Sequence, residues 1–422
     1  MVELNFKSGD KIRLRLAHKE IDGIYIENPD NSLILLKLDS GYNIGISKEN
    51  ILGSRILENY IEKEKGTFFT QSEKGKPTIG LVVTGGTIAS KVDSRTGGVK
   101  PLTDIAEFAN FYPEIFEMAN VKKILSPFMI ASESMTPSHW ISISNSVYEL
   151  LQDKEIQGVV VTHGTDFLGY TGAALSFFLR DLGKPVVLTY SQRSIDRASS
   201  DASLNLQCAI KIALSDASGV FLVGHATTND DFCYALNGTK ARKMHSSRRD
   251  SFKSINDSPI AKIWPDKIEF LEKYNKRNNE AGQLDNAYSD KTALVKFYPG
   301  QDSSILDFYA LKYKGIIVEA SGLGHLPVGE GENNWIPTLK KHIRNGFVVC
   351  VTTQTINGRV DPYVYSNGRA LLDAGVIFLE DMLPETALVK LGWVLGHYGW
   401  KTHIKNKMLE NFAGELSGRL VE

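Results

Sequence analysis

The strongest structural signal in this chain is the segment Leu81-Val82-Val83-Thr84-Gly85-Gly86-Thr87-Ile88-Ala89-Ser90. Its apolar half is typical of a buried parallel strand, which ends abruptly in Thr-Gly-Gly-Thr. The two glycines permit a sharp turn and the close approach of another backbone or a ligand. A hydroxyl is thereby presented at the carboxyl end of a strand, where open α/β sheets bind their ligands. Taken alone, the segment is also compatible with an ordinary strand-to-helix turn.

A polar stretch from Lys91 to Pro101 follows this turn and contains Gly97-Gly98. Polar, glycine-containing segments beside a ligand site are typical of mobile lids. We therefore expect a lid over the carboxyl end of the first strand.

The composition is that of a soluble globular protein with 422 residues, enough for two or three domains. A formal net charge of -1 argues against a generally basic nucleic-acid binder but leaves room for a local basic patch. No apolar run resembles a signal peptide or a membrane span, which predicts a cytoplasmic protein without membrane contact. The widely spaced Cys208, Cys233 and Cys350 are expected to be reduced core residues.

Residues 1–72 differ in character from the rest of the chain. Short segments of alternating polar and apolar residues, separated by turn signals, predict antiparallel strands near Lys11, Asp22, Leu33 and Tyr42. Together they predict a small β-barrel domain. Nothing in it looks catalytic, which favours a docking or spacer role. The stretch from about 62 to 76, rich in Lys, Glu, Gly and Ser, is the predicted linker.

Strand and helix patterns alternate from residue 77 onward, which predicts a doubly wound parallel sheet with right-handed crossovers. One amphipathic helix is expected to begin at Pro137. We place a large α/β domain at residues 77–280 and a smaller C-terminal α/β domain at residues 290–422, with a polar linker at about 275–290. The predicted fold class is thus α/β, with two α/β domains preceded by a small β-barrel.

A second hydroxyl-bearing loop, Thr162-His163-Gly164-Thr165-Asp166, follows another strand of the same predicted sheet. Threonine is a poor nucleophile unless a base lies within hydrogen-bond reach. A second threonine beside a lysine that is held by a carboxylate supplies such a base. Asp166 is the candidate carboxylate, and the polar stretch 240–250 holds the candidate lysines. From composition alone, that stretch is also compatible with a solvated charged loop or a phosphate-contacting patch.

Two histidines near these loops, His163 and His245, are expected to be structural hydrogen-bonding residues. No HxH or HxxxH pairing accompanies them, so they do not predict a metal site.

The motifs Thr84-Gly-Gly-Thr-Ile-Ala89 and His163-Gly-Thr-Asp166 resemble those of the bacterial-type L-asparaginase/glutaminase amidohydrolases. This resemblance covers residues from about 77 to 415. The β-rich extension with Gly41-Tyr-Asn-Ile-Gly-Ile46 is similar to that of the GatD family, which belongs to the archaeal glutamyl-tRNA(Gln) amidotransferases. Residues 246–256 and Asp381-Met-Leu-Pro-Glu-Thr-Ala387 are similar to the same family.

The resemblance implies a catalytic role for four residues. Thr87 matches the nucleophile of the family, and Thr165, Lys243 and Asp166 match a second triad that relays the proton. In that triad Thr165 and Lys243 move the proton, and Asp166 holds the lysine. Asp166 is also expected to face the α-ammonium group of the substrate.

The resemblance further implies a site for the amino-acid end of the substrate, formed by Gly86, Ser132, Glu133 and Gly164. Three departures from the family pattern bear on it. Phe167 stands where the family usually has threonine, so we expect an altered pocket wall. The predicted lid lacks the catalytic tyrosine of asparaginases, so either another residue assists Thr87 or unaided turnover is slow. Glu133 replaces a common glutamine, which leaves glutamine and asparagine both open as substrates.

The function implied by the resemblance is the glutaminase subunit of a tRNA-dependent amidotransferase, acting as a homodimer. Its ammonia would pass to a GatE-like kinase/transamidase subunit that activates glutamate on tRNA(Gln) with ATP and Mg²⁺. No GxxxxGK[ST] loop is present, and no cofactor is expected in this chain.

Three other functions stay open from the sequence. One is a free-standing asparaginase or glutaminase, and another is a phosphate- or nucleotide-binding module that uses the glycine turns as anion nests. In the third, the cluster between Arg242 and Arg249 contacts tRNA directly.

Overall fold

The computed structural model describes residues 6–28, 30, 32–38, 43–59, 73–92, 99–101, 108, 111–195, 200–329 and 333–419. Parts of three predicted features lie outside these ranges, namely residues 41–42 of the Gly41–Ile46 motif, residues 62–72 of the first linker and residues 93–98 of the lid. None of the helices in the described ranges combines the length and the apolar character that a bilayer span requires.

The strands are numbered in chain order. They are β1 (Lys11–Arg15), β2 (Glu20–Ile26), β3 (Leu33–Lys37), β4 (Asn43–Ser47), β5 (Gly53–Glu58), β6 (Thr78–Val83), β7 (Ser90–Val92), β8 (Val99–Pro101), β9 (Asn120–Leu125), β10 (Ile156–Thr162), β11 (Leu179–Arg180), β12 (Pro185–Thr189), β13 (Gly219–His225), β14 (Cys233–Asn237), β15 (Ala241–Lys243), β16 (Phe252–Ser254), β17 (Ala261–Ile263), β18 (Ile268–Phe270), β19 (Gln283–Leu284), β20 (Thr292–Lys296), β21 (Gly315–Ala320), β22 (Val348–Thr353) and β23 (Ile377–Phe378).

The α-helices are numbered in the same way. They are α1 (Pro113–Met118), α2 (Pro137–Leu151), α3 (Leu168–Phe178), α4 (Ala202–Ala213), α5 (Ile305–Lys312), α6 (Ile336–Arg344), α7 (Ser366–Asp373), α8 (Pro384–Gly396) and α9 (Ile404–Leu409).

The N-terminal strands form one antiparallel sheet in the order β4-β3-β2-β1-β5. The four predicted strands are present, and β5 is an addition that the sequence did not predict. Alternate residues of β1 and β3 fill the core, with Ile12, Leu14, Ile34 and Leu36 almost fully buried. This alternation is the period of two that a half-buried strand requires.

The central sheet has eight strands in the order β18-β17-β14-β13-β12-β10-β6-β9. The five strands β9, β6, β10, β12 and β13 pair in parallel, whereas β14, β17 and β18 continue the sheet in antiparallel pairing. Apolar cores cover both faces: α1 and α4 contribute to one, and α2 and α3 to the other. The predicted doubly wound α/β fold is confirmed, with a mixed rather than wholly parallel sheet.

A second sheet of four parallel strands follows in the order β20-β21-β22-β23. Helix α3 of the first sheet and helix α8 of the second share one buried core, in which the Phe177 ring stacks on Trp393 at 5.4 Å. The predicted linker at 275–290 contains β19, which pairs with β11 in a separate two-stranded sheet, so it is anchored directly after α3. The two sheets are therefore packed together beside α3.

Candidate active site

The two glycine-containing loops leave the sheet side by side. Strands β6 and β10 are parallel neighbours, and Val83 pairs with Thr162 in their register. The backbone N–H and the Oγ1 hydroxyl of Thr84 both donate to the Thr162 carbonyl oxygen, at 3.2 and 2.9 Å. The carboxyl ends of the two strands, and the loops that follow them, are therefore fixed at one edge of the sheet.

The glycines allow these loops to touch. Gly86 has a φ of 80°, and a Cβ atom built on it would lie 2.6 Å from the Gly164 Cα atom. A Cβ atom on Gly164 would in turn lie 2.9 Å from the Ser132 hydroxyl oxygen. Backbone contact this close excludes any side chain. Three of the four residues expected to hold the substrate, Gly86, Gly164 and Ser132, thus lie together.

The predicted nucleophile Thr87 is half-buried and opens a single 3₁₀ turn, Thr87–Ala89, directly after Gly86. Ile88 and Ala89 are fully buried behind it. The Tyr112 hydroxyl donates a 2.7 Å hydrogen bond to the Ile88 carbonyl oxygen, which holds the turn from the side of α1. Because the residues that follow Thr87 in this short turn are buried in the core, the threonine is held at a defined position.

The predicted relay is assembled around Lys243. Its Nζ atom lies 2.8 Å from Thr165 Oγ1 and 2.7 Å from Asp166 Oδ1. Lys243 stands at the end of β15 and is 14% exposed, whereas the Asp166 carboxylate is 58% exposed. The structure therefore brings a lysine from residues 240–250 to the His-Gly-Thr-Asp loop, and that lysine is Lys243.

The hairpin of β15 and β16 is held from the end of a third parallel strand, β12. Lys243 pairs with Phe252 in this hairpin. Tyr190, directly after β12, packs on the Phe252 ring at 4.7 Å and donates to the Arg249 carbonyl oxygen at 3.1 Å. Gln192 donates to the Ser251 hydroxyl at 2.8 Å. These contacts were not predicted from the sequence, because no local pattern marks them.

Both histidines are engaged in hydrogen bonds. His163 is buried, with Nδ1 2.6 Å from the Gly164 carbonyl oxygen and Nε2 2.9 Å from Thr171 Oγ1. Burial lowers the pKa of His163 from its ordinary value of 6.5 to about 4, so the ring is neutral at pH 7. His245 accepts from the backbone N–H groups of Ser247 and Arg248. In the described part of the chain, no group of three or more His, Cys, Asp or Glu side chains is arranged to hold a metal ion.

The remaining predicted residues, Glu133 and Phe167, are exposed. Glu133 is exposed on the turn Ser132–Ser134. Phe167 is 41% exposed and packs against Tyr170 at 5.5 Å. The described ends of the predicted lid pair as the hairpin β7–β8.

The arginines of the stretch 240–250 are each paired with a carboxylate. Arg248 pairs with Asp250, Arg249 with Asp230, and Arg242 with Glu385. Paired arginines have less charge to offer to phosphates, which does not favour direct contact between this cluster and tRNA.

Three family models match the chain. They are "Asparaginase, N-terminal" over residues 78–276, "Glutaminase/Asparaginase C-terminal domain" over residues 291–408 and "GatD N-terminal domain" over residues 6–56. Among solved structures, the thermostable L-asparaginase from Thermococcus kodakarensis is 31% identical with a TM-score of 0.73, covering 81% of this chain and 100% of that chain.

Two GatD relatives, each a component of a glutamyl-tRNA(Gln) amidotransferase, are similar over almost their whole length, including the N-terminal sheet. The relative from Pyrococcus abyssi is 49% identical, covering 98% of this chain and 96% of the relative. The relative from Saccharolobus solfataricus is 41% identical, covering 99% of this chain and 94% of the relative. The chain therefore belongs to the GatD family of the glutamyl-tRNA(Gln) amidotransferases, whose main body has the asparaginase fold.

Proposed function

We propose that this chain is the glutaminase subunit of a tRNA-dependent amidotransferase and releases ammonia from the side-chain amide of glutamine. The observation that carries the proposal is the contact of Lys243 with both Thr165 and Asp166, together with the close approach of Gly164 to Gly86, the residue before Thr87. A hydroxyl nucleophile and a lysine-threonine pair at one sheet edge form an acyl-transfer site.

In the first step, Thr87 Oγ1 attacks the carbonyl carbon of the substrate amide. Its proton is taken up by the pair of Thr165 Oγ1 and Lys243 Nζ, while Asp166 keeps the lysine in place. Backbone N–H groups of the two loops stabilise the developing oxyanion. The C–N bond then breaks, the proton moves to the leaving nitrogen, and ammonia departs.

The second step hydrolyses the ester that joins Thr87 to the glutamyl group. A water molecule attacks the ester carbon, and its proton follows the same path through Thr165. Glutamate leaves and the Thr87 hydroxyl is regenerated. Ser132, Glu133 and the two glycines hold the amino-acid end, and Asp166 faces the α-ammonium group.

The other assignments of this proposal concern assembly. The ammonia passes to a GatE-like kinase/transamidase subunit, which binds ATP and Mg²⁺ and amidates glutamate on tRNA(Gln). The chain acts in the cytoplasm as a homodimer, with a barrel-like domain at residues 1–72, the domain with the active site at 77–280 and a smaller domain at 290–422. The relatives are named as one subunit of their amidotransferases, which supports a multi-subunit enzyme.

Ammonia release from glutamine and from asparagine tests this function. We expect slow glutamine turnover by the chain alone and a sharp rise on addition of the partner subunit, ATP and glutamyl-tRNA. Thr87→Ala should release no ammonia, and Lys243→Ala should be slower by about 10²–10⁴-fold but still measurable. Thr338→Ala is the matched control, because Thr338 lies on α6 in the C-terminal part of the chain and contacts Ser303 there. Unchanged ammonia release by Thr87→Ala would overturn the site.

A free-standing asparaginase is the second candidate. The 31% identity to a complete L-asparaginase favours it, since the two folds coincide over 81% of this chain. Fast asparagine turnover without any partner would establish it, and would leave the N-terminal sheet without a part in the reaction.

A further inference from the structure

The segment that leads into β15 is fastened to the C-terminal part of the chain by buried contacts. Lys240 Nζ lies 2.6 Å from Asp381 Oδ2, and both side chains are 0% exposed. Thr386 Oγ1 donates a 2.7 Å hydrogen bond to the Thr239 carbonyl oxygen. The partners lie in Asp381–Ala387, the segment similar to the GatD family that the reaction itself does not use. They connect β15, which carries Lys243, to the beginning of α8.

A third contact lies one residue from the relay lysine. Arg242 Nε is 3.2 Å from Glu385 Oε1, and the two side chains are 27% and 20% exposed. Successive residues of a strand point to opposite faces, so Lys243 reaches Thr165 while Arg242 reaches α8. A displacement of Arg242 therefore displaces the backbone that carries Lys243.

Glu385 is an unusual partner for stability alone. Its Oε2 atom is buried and has no hydrogen-bond partner in the described ranges. Removing a carboxylate from water costs free energy. A single ion pair offsets that cost poorly when the second carboxylate oxygen accepts no hydrogen bond. The first turn of α8 favours a negative charge, but replacing a buried ion pair with apolar residues is often neutral or stabilising, so stability alone does not explain the carboxylate.

Glu385 also lies close to the helix that follows the other half of the relay. Burial raises the pKa of the Tyr170 hydroxyl, and the charge of Glu385 raises it further. Tyr170 belongs to α3, which begins two residues after Asp166, and its ring contacts Phe167. The carboxylate thus acts on the strand of Lys243, through Arg242, and its charge is felt on the helix that follows Thr165 and Asp166.

We propose that Glu385 is a positioning residue of the relay: through Arg242 it sets the distance between Lys243 and Thr165. Asp381 holds the same segment through Lys240, so the C-terminal sheet region controls the geometry of a reaction that occurs on the first sheet. This inference rests on the proposed function of the site.

The test measures kcat and KM for ammonia release from glutamine by the full chain carrying Glu385→Ala, Arg242→Ala or the exchanged pair Glu385→Arg with Arg242→Glu. We expect each single variant to lower kcat about 10- to 100-fold at nearly constant KM, as a small displacement of a catalytic group does. The exchanged pair should recover part of the loss. Arg359→Gln is the control, because it breaks the Arg359–Glu380 pair of the same region and should leave kcat unchanged.

Introducing Glu385→Ala into Lys243→Ala separates positioning from a general structural effect. If Glu385 acts through Lys243, the double variant is no slower than Lys243→Ala. The inference would be overturned if Glu385→Ala lowered kcat by the same factor in the wild-type chain and in Lys243→Ala. A wild-type kcat in Glu385→Ala would overturn it as well. Should Glu385→Ala fail to fold, Glu385→Gln is measured in its place, with the same criteria. If Thr87→Ala released ammonia as fast as the wild-type chain, the proposed function itself would be refuted.

Discussion

Replacing Gly86 with alanine tests whether the contact between the two loops creates the site. Gly86 has a φ of 80°, a conformation that costs an L-residue about 1–2 kcal/mol. The new Cβ atom would lie 2.6 Å from both Cα and N of Gly164 and 2.8 Å from the His163 carbonyl carbon. All three atoms belong to the backbone, so no side-chain rotation relieves the overlap.

The loops must move apart to admit the methyl group. Non-bonded carbon atoms rest about 3.5–4.0 Å apart, so the required separation is roughly 1 Å. Overpacking costs about 1–3 kcal/mol, which with the backbone term lowers the free energy of unfolding by about 2–5 kcal/mol. A displacement of about 1 Å at reacting groups also lowers the rate by about 100-fold. Thr87 follows Gly86 directly, so we expect that loss in kcat.

The assay is ammonia release from glutamine, combined with urea unfolding of the same preparations. Gly346→Ala is the matched control, since Gly346 has a φ of 87° and no atom within 4 Å of its built Cβ. Gly346→Ala should lose only the stability that a positive φ costs an L-residue, and it should keep the wild-type kcat. If Gly86→Ala were folded and retained a kcat within about threefold of wild type, the contact between the loops would not determine the site.

Two further predictions follow from the same contacts. Burial lowers the pKa of His163 from 6.5 to about 4, so the unfolded chain takes up a proton first as the pH falls. This contribution to the free energy of unfolding is complete above pH 6.5 and decreases by about 3 kcal/mol by pH 4, and unfolding of His163→Gln should lack that part of the pH dependence. Equal slopes for both proteins would contradict it. Gly169→Ala places a Cβ atom 2.9 Å from the Ala241 carbonyl oxygen and should push α3 away from β15, lowering kcat about tenfold at constant KM. Gly399→Ala, where nothing lies within 4 Å, is its control, and equal kcat values would refute the reasoning.

Local patterns were sufficient for the elements that carry the loops. β6 and β10 occur where strands were predicted, directly before the two loops, and α2 begins at the predicted Pro137. Apolar runs, helical periodicity and a proline at a helix start are properties of neighbouring residues. The antiparallel strands β17 and β18 were missed, since three residues are too few to show a period. β5 was missed as well, with four of its six residues exposed and no alternation to detect.

The amino-acid sequence alone predicts that two glycine-containing loops follow two strands of one sheet, because that information is local. What holds Lys243 in place depends instead on how the two sheets pack. Lys240 belongs to a stretch whose composition is typical of a solvated charged loop. It is nevertheless fully buried against Asp381, 141 residues further along the chain. A pair so distant leaves no local pattern in the sequence, since its energy depends on burial and geometry that exist only after the two sheets have packed.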